Sequence, residues 1–572
     1  MKRWREFIRG YEWQVVLAPL FKLMEALFDL CVPLIVAYMI DHSGEKHIYI
    51  MCFGLLVGTS LLGVACSVSA QWFAARTAVR VSGRLRMFLF EHIGEMSAAQ
   101  IDAIGPDTLL TRASSDVDQV QNGINMSLRL LLRSPFIVFG SMIMAFMLDK
   151  RSGWIFAAAI LILSVVTFAL MTWEVPLVKK ARMYLDGMSR RVRQDLEGMR
   201  PIKAFGKQEE EREDFQHADR TLTKANEQSG FVSSCLDPVT YVIINLAIVV
   251  LLKNGAIHIA AGLLSQGTMV ALYNYMAQIV VELVKLASLM VTINKSLVCA
   301  ARVDKILQET GDMTYGTLTV RNGSEAVRFD HVGFACPKAG APALEDISFI
   351  LHSGETLGVI GPTGSGKSTL AALLARMYDC SSGQIRLFEE PIEAYSEEAL
   401  HKMVGLVMQR SVMFSGPVRR GLCLGAVLDD ECLLRAVHDA QADNVLKAKG
   451  QGLDSILAQG GRDLSGGQKQ RLSIARALAH DPDILVLDDA GSALDYATDA
   501  ALRKALTNRQ GTTVIISQRV SSVRDADKIL VLEDGRISGV GTHEWLCENC
   551  DAYREICAVQ LREEAFHERK HG

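Results

Sequence analysis

Six long apolar stretches, unevenly separated by charged ones, divide this chain before any motif is read. Their windows fall near residues 15–40, 48–72, 131–148, 154–173, 237–260 and 267–293. Each is close to the roughly 20 residues a helix needs to cross a bilayer. The fourth, Trp154 to Trp173, holds no charge and has an aromatic residue at each end, where the lipid–water interface would lie. Short turns at Asp41–His47, Asp149–Gly153 and Gly262–Gln266 join segments 1–2, 3–4 and 5–6. Segments 2–3 and 4–5 are joined instead by charged, helix-compatible stretches of about 55–65 residues. A six-helix membrane domain is therefore expected over 1–301. After a linker at 302–326 the hydrophobicity falls and strand-like runs begin, which places a second domain at 327–560 and a polar tail at 561–572.

Composition fits that division. A hydrophobic fraction of 49% beside 22% charged residues, with mean hydropathy +0.19, is what an apolar half and an ordinary half average to. A net charge of −4 without a basic patch gives nucleic acid no footprint. The twelve cysteines are scattered, unlike a disulfide scaffold, and read as reduced thiols. Cys547-Glu-Asn-Cys550 is a lone CxxC with no second ligand pair, so that spacing does not establish a metal site.

Orientation follows from Lys and Arg. They crowd the N-terminus (Lys2, Arg3, Arg5, Arg9) and the two long connections (Arg76 to Arg112, Lys179 to Lys207), and are sparse in the short turns. Both termini and both long connections are expected in the cytoplasm of a multi-pass protein of the cell membrane. No organelle-targeting signal is evident, which points to a bacterial membrane. Charges inside the spans are costly and need a reason. Lys22, Glu25 and Asp29 share one face of the first helix, and Glu282 and Lys285 are neighbours on the sixth. They read equally as a polar cavity for amphipathic substrates or as pairing near the cytoplasmic leaflet.

The second domain carries the chemistry. Gly361-Pro362-Thr363-Gly364-Ser365-Gly366-Lys367-Ser368-Thr369 is a phosphate loop. Backbone N–H groups approach an anion closely only where side chains are absent, the next helix offers its positive end, and Lys367 reaches the terminal phosphates. Ser368 is placed to hold Mg²⁺, with Asp488 at the end of the apolar run Ile484–Leu487 on the ion's other side. Gln409, Leu464-Ser465-Gly466-Gly467-Gln468, Asp488-Asp489 and Gln518 follow the loop in that order.

This order resembles the ATP-binding cassette of ABC transporters, and the long connections resemble those of ABC exporters; the likeness spans nearly the whole chain. The implied fold class is multidomain: an all-α six-helix transmembrane domain followed by an α/β P-loop cassette. The implied cofactors are ATP and Mg²⁺, with Gln409 also on the ion. The resemblance further implies that Ser465, Gly466, Gly467 and Gln468 cap the ATP held by a partner subunit, and that Asp495 lies in the loop linking two sites across a dimer interface. It makes Leu109–Asp118 the first coupling helix and Gln194–Phe205 the second.

Three positions depart from the family pattern. Asp489 stands where a glutamate normally activates water; one methylene less retracts the carboxylate by about 1 Å, and misplacement on that scale costs on the order of 10²-fold. Gln518 stands at the histidine that contacts the γ-phosphate, and an amide carries no proton or charge at neutral pH. Cys336 replaces the aromatic that stacks on adenine, a contact worth about 1–3 kcal/mol in the comparable base–aromatic case. The expectation is a half-transporter with its own site degenerate and its signature intact. It would pair with a second, consensus half in the lipid bilayer and export small hydrophobic or amphipathic compounds. The alternatives are a slow Asp489-dependent homodimer, a lipid or peptide carrier, and an ATP-gated regulatory subunit.

Overall fold

A computed structural model describes residues 6–309, 311, 313–321, 323–335, 340–507 and 509–560. They form two units, Met1–Gly94 with Asp107–Glu309 and Glu95–Pro106 with Thr310–Gly572. The helices of the N-terminal half are α1 (Glu12–Asp41), α2 (Lys46–Gly94), α3 (Ala98–Ile104), α4 (Pro106–Thr111), α5 (Val117–Leu130), α6 (Arg133–Leu148), α7 (Lys150–Glu197), α8 (Met199–Ala204), α9 (Gln208–Ala260) and α10 (Gln266–Gln308). Among the described residues six helical runs are long and apolar enough to cross a membrane: α1, α2, the run from Pro106 to Leu148, α7, α9 and α10. They coincide with the six apolar windows.

Within the first unit α1 packs on α2 and α7 on α9, while α10 lies against α1, α5 and α6. The start of α10 shows how tightly. Asp41 Oδ1, at the end of α1, accepts the Gly267 N–H at 2.8 Å, and Ser265 Oγ accepts that of Thr268 at 3.1 Å. These side chains satisfy donors that a helix leaves open in its first turn. A Cβ on Gly267 would stand 2.0 Å from the Ala37 carbonyl oxygen, so only glycine permits this approach. Trp154 and Trp173 are 70% and 61% exposed, turned outward as interfacial anchors must be.

The segment Leu109–Asp118, expected as the first coupling helix, lies on the long run leading into the third span. It takes in the end of α4, a π-helical turn at Arg112–Asp116 and the start of α5. A separate short helix, α3, precedes that run and belongs to the second unit. Its boundaries were written in the sequence but masked by weak periodicity. Ser97 and Gln100 form a reciprocal capping box, and Gly105 (φ 87°) followed by Pro106 stops the helix. Tyr378 OH donates to Asp102 Oδ2 at 2.6 Å, tying α3 to the cassette. In the other connection the break falls at Gly198, and α8 lies inside the expected second segment.

The cassette is built on two sheets. An antiparallel one runs in the order β2 (Leu344–His352), β1 (Glu325–Phe334), β4 (Ser382–Leu387), β5 (Glu390–Pro391). The larger runs in the order β12 (Arg536–Gly541), β11 (Lys528–Glu533), β3 (Thr356–Ile360), β10 (Thr512–Ile516), β9 (Ile484–Asp488), β6 (Val404–Val407). It is parallel except at β12. Its strands read as continuous apolar runs because helices cover both faces; β9 is buried at every position. The helices used below are α11 (Lys367–Leu374), α12 (Gly466–Ala479) and α13 (His543–Asn549).

Candidate nucleotide site

Four neighbouring strands end at one edge of the parallel sheet, and each delivers one part of the site. The phosphate loop follows β3, Gln518 follows β10, Asp488 and Asp489 close β9, and Gln409 follows β6. The register pairs Ile516 with both Val359 and Asp488, so the strand ends stay level. The carboxyl edge of an open parallel sheet is where ligands bind. Residues far apart in sequence thus line one cleft of about 240 Å³, among them Thr363, Lys367, Gln409, Asp488, Asp489 and Gln518.

The loop is shaped for an anion. Gly364 and Gly366 hold φ values of 87° and 97°, open to glycine and strained for other residues, and a Cβ on Gly366 would meet the Ala343 carbonyl oxygen at 2.6 Å. Lys367 opens α11 and donates through Nζ to the carbonyls of Gly361 (2.8 Å) and Pro362 (2.7 Å). Burial pushes its ammonium below the ordinary lysine range, against the pull of Asp489 and Asp488. A bound polyphosphate would supply the missing negative charge.

Ser368 Oγ donates to Asp488 Oδ1 at 3.0 Å. Burial pushes the Asp488 carboxyl above its ordinary range; Asp489 adds to that, while Ser368 and Lys367 oppose it. A hydroxyl and a buried carboxylate lacking a cationic partner at contact distance are oxygen donors suited to Mg²⁺, so the residues fit the ion. Gln409, also expected on the ion, donates through Nε2 to Asp489 Oδ2 at 3.1 Å.

Asp489 sits in the left-handed region (φ 48°), which Asp and Asn tolerate better than most residues. Its N–H reaches the Ile516 carbonyl at 2.9 Å, and its own carbonyl accepts from Ser492 Oγ at 2.8 Å. The backbone is therefore pinned and the carboxylate has only its short stem with which to reach. The Gln518 side chain faces the cleft, and the Gln518 backbone carbonyl accepts from Gln560 Nε2 at 2.6 Å. Cys336 lies outside the described residues.

Ser465 caps α12 in a reciprocal box: Ser465 Oγ accepts from Gln468 N at 3.3 Å, and Gln468 Oε1 from Ser465 N at 2.8 Å. Gly466 and Gly467 therefore open a well-formed helix whose positive end can meet phosphate. Asp495 Oδ2 accepts from Thr498 N at 3.2 Å.

Three supporting residues escaped the sequence reading. Arg519 reaches the carbonyls of Gly491, Ser492 and Leu494 at 3.4–3.5 Å, tying the residue after Gln518 to the loop that holds Asp495. Gln470 accepts from Ser411 Oγ and joins α12 to the segment after Gln409. Gln560 clasps the backbone on both sides of Arg519, its Oε1 taking the Val520 N–H at 2.8 Å. Adjacency to Gln518 was a usable signal for Arg519; nothing local marked the other two.

Comparison with known proteins agrees with this geometry. Residues 15–283 match the family described as ABC transporter transmembrane region, and residues 344–492 the one described as ABC transporter. An uncharacterized ABC transporter ATP-binding protein of Mycobacterium tuberculosis is 32% identical over 568 residues, 97% of each chain. YfiB of Bacillus subtilis, with the same description, is 32% identical over 572 residues, 99% of each chain. An ATP-dependent lipid A-core flippase of Nitrosococcus oceani is 29% identical over 527 residues, 90% of this chain and 87% of the relative. The structure of a bacterial Atm1-family ABC exporter with ATP bound superposes with a TM-score of 0.80, covering 96% of this chain and 98% of that one. At 23% identity that match speaks for the fold.

Proposed function

The chain belongs to the ABC transporter family, and from that premise we propose that it is the ATP-binding, weakly hydrolysing half of a heterodimeric exporter of hydrophobic or amphipathic compounds. The observation that carries this reading is an asymmetry within one cassette. The capped signature at Ser465–Gln468 is complete, whereas the hydrolytic positions hold Asp489 and Gln518. In a head-to-tail dimer those two features serve opposite sites. Two copies of this chain would make two slow sites, while a partner with the consensus residues would use this signature at one competent site.

ATP held by the phosphate loop, with Mg²⁺ on Ser368 and Asp488, stabilises the closed pair of cassettes. Hydrolysis at the partner's site releases it, and the exchange between inward and outward states follows from differential affinity for the two. Both termini face the cytoplasm. α8 meets the partner's cassette as a coupling helix; Phe205 beside it is 80% exposed in the single chain, a cost that a partner surface would remove. The substrate class is supported by a cavity of about 620 Å³ within the membrane unit, where Asp29, Arg133, Gln278 and Glu282 face Val32, Ile137 and Val281. Such a mixed lining suits a molecule with one polar end.

The test is ATP turnover of the purified chain alone and with its co-expressed partner, each as wild type and as Asp489→Asn. Activity confined to the pair, and little changed by Asp489→Asn, is the expected result. Robust activity of the chain alone, abolished by Asp489→Asn, would favour a second reading, a homodimeric lipid exporter. That reading draws support from the flippase relative and from the carboxylate that Asp489 still presents.

A further inference from the structure

The cassette holds a second cluster of chemistry-bearing side chains, formed by residues other than those of the nucleotide cleft. His543 and Cys547 lie one turn apart on one face of α13, and helical residues 551–560 bring Cys557 against them. Cys547 Sγ stands 3.9 Å from both ring nitrogens of His543, and the ligand atoms of His543, Cys547 and Cys557 all lie within 4.8 Å of one another. Cys550, the other member of the sequence's CxxC, is not in this group; its Sγ lies 3.9 Å from the Ser538 carbonyl. The fold thus separates the two cysteines that are neighbours in sequence and pairs Cys547 with one ten residues on.

We propose that His543, Cys547 and Cys557 form a binding site for a thiophilic metal ion of the Zn²⁺ class. Two sulfurs and one imidazole are a donor set that such ions favour over Mg²⁺ or Ca²⁺. Tetrahedral Zn²⁺ sites place neighbouring ligand atoms roughly 3.5–3.8 Å apart. The Cys547 contacts are already near that spacing, and closing the widest pair takes about 1 Å. His543 has the outer support that ligating histidines need: its Nδ1 lies 2.8 Å from Tyr553 OH. Donating that N–H to the phenol leaves the Nε2 lone pair for the ion. Three protein ligands leave the fourth position to water or a thiol.

The ion would brace α13 against residues 551–560, the segment that ends in Gln560 on the backbone of Gln518 and Val520. The site is independent of the heterodimer reading and is tested without transport. Full-length chain purified in detergent, stripped with chelator and dialysed against Zn²⁺ should bind one ion per chain by elemental analysis. Competition with a chromogenic chelator should show Cys547→Ser, Cys557→Ser and His543→Ala each weakening it by roughly 100-fold or more, and Tyr553→Phe by about 10-fold. Cys550→Ser should bind as wild type does. X-ray absorption on the wild type should show two sulfurs and one nitrogen around the ion, which holds even where a serine variant folds poorly. Undiminished binding by Cys547→Ser and Cys557→Ser would overturn the proposal. So would an absorption spectrum without sulfur, or a Cys547–Cys557 disulfide that persists in excess reduced glutathione and blocks uptake.

Discussion

Gln409 Nε2 donates to Asp489 Oδ2 at 3.1 Å, so the residue expected to help hold Mg²⁺ lies on the carboxylate expected to orient water. Both side chains come from the ends of adjacent strands, β6 and β9, and the bond closes the gap that a shorter acid leaves. The amide nitrogen makes this bond, so Gln409 could still offer its Oε1 to a Mg²⁺ ion that arrives with nucleotide. Asp489 is held there by its pinned backbone, so lengthening the side chain is the direct way to change what it reaches.

Asp489→Glu together with Gln518→His should therefore raise hydrolysis at this chain's own site by about 10–100-fold, the size of effect that a displacement near 1 Å produces. The measurement is single-site turnover, with the partner's catalytic position inactivated. A double variant no faster than wild type would mean that these two residues do not limit hydrolysis at this site.

Lys367 is placed by two loop carbonyls and kept below its usual protonation range by burial. Hydrogen bonds from it to a phosphate would be charge-assisted, worth about 1.5–3 kcal/mol each. Lys367→Ala should weaken ATP binding by about 10–100-fold while the fold survives, read by a fluorescent nucleotide analogue and by circular dichroism. Unchanged affinity would remove the phosphate loop from the site.

Asp488 illustrates a site that works against the stability of its own domain. Burial raises its folded-state pKa, so the folded protein holds the proton over a pH range in which the unfolded chain has released it. Stability consequently falls as pH rises from the unfolded value near 3.9 through the folded one. Asp488→Asn should remove that loss. We expect the nucleotide-free protein to gain about 0.5–2 kcal/mol near pH 8, with no gain below about pH 4. The same variant should lose Mg²⁺-dependent nucleotide binding. A variant less stable than wild type at pH 8 would contradict the burial argument.

Much of this was legible because it is carried by local pattern. Apolar windows fixed the spans, and the glycines of 361–366 fixed a loop whose geometry glycine alone adopts easily. β9 showed as an uninterrupted apolar run ending in Asp488. What was illegible depends on contacts between distant segments. No spacing rule joins Gln560 to Gln518, Gln470 to Ser411, or Cys557 to His543. The short helix α3 went unmarked for a different reason. α3 is only seven residues long, too short for periodicity to register, and its Ser97–Gln100 box was outweighed by the stronger helical pattern just beyond it. Pairing of the intramembrane charges along their own helices was one of the two readings, and Lys22–Glu25 and Glu282–Lys285 do pair. The link across helices was not legible, because its centre, Arg133, lies at the edge of the third apolar window.

Arg133 is what makes those charges tolerable. It lies 2.6 Å from Glu282 on α10, and 2.9 Å from Asp29 and 3.7 Å from Glu25, both on α1. Ser134 and Lys285 complete the shell of Glu282, and Lys22 pairs with Glu25. Removing one member of a buried ion network leaves charges without compensation, at about 3–5 kcal/mol. Arg133→Met should therefore lower the thermal midpoint of the detergent-solubilised protein sharply. Arg133→Lys should recover only part of the loss, because an ammonium cannot serve three carboxylates in fixed directions as a guanidinium does. Adding Glu282→Gln to Arg133→Met removes the most buried orphaned charge and keeps an acceptor for Ser134. The double variant should thus be more stable than Arg133→Met alone, with a coupling of about 0.5–3 kcal/mol. Strictly additive losses would mean that the two residues do not share a network, and that the polar lining of the cavity is held by packing alone.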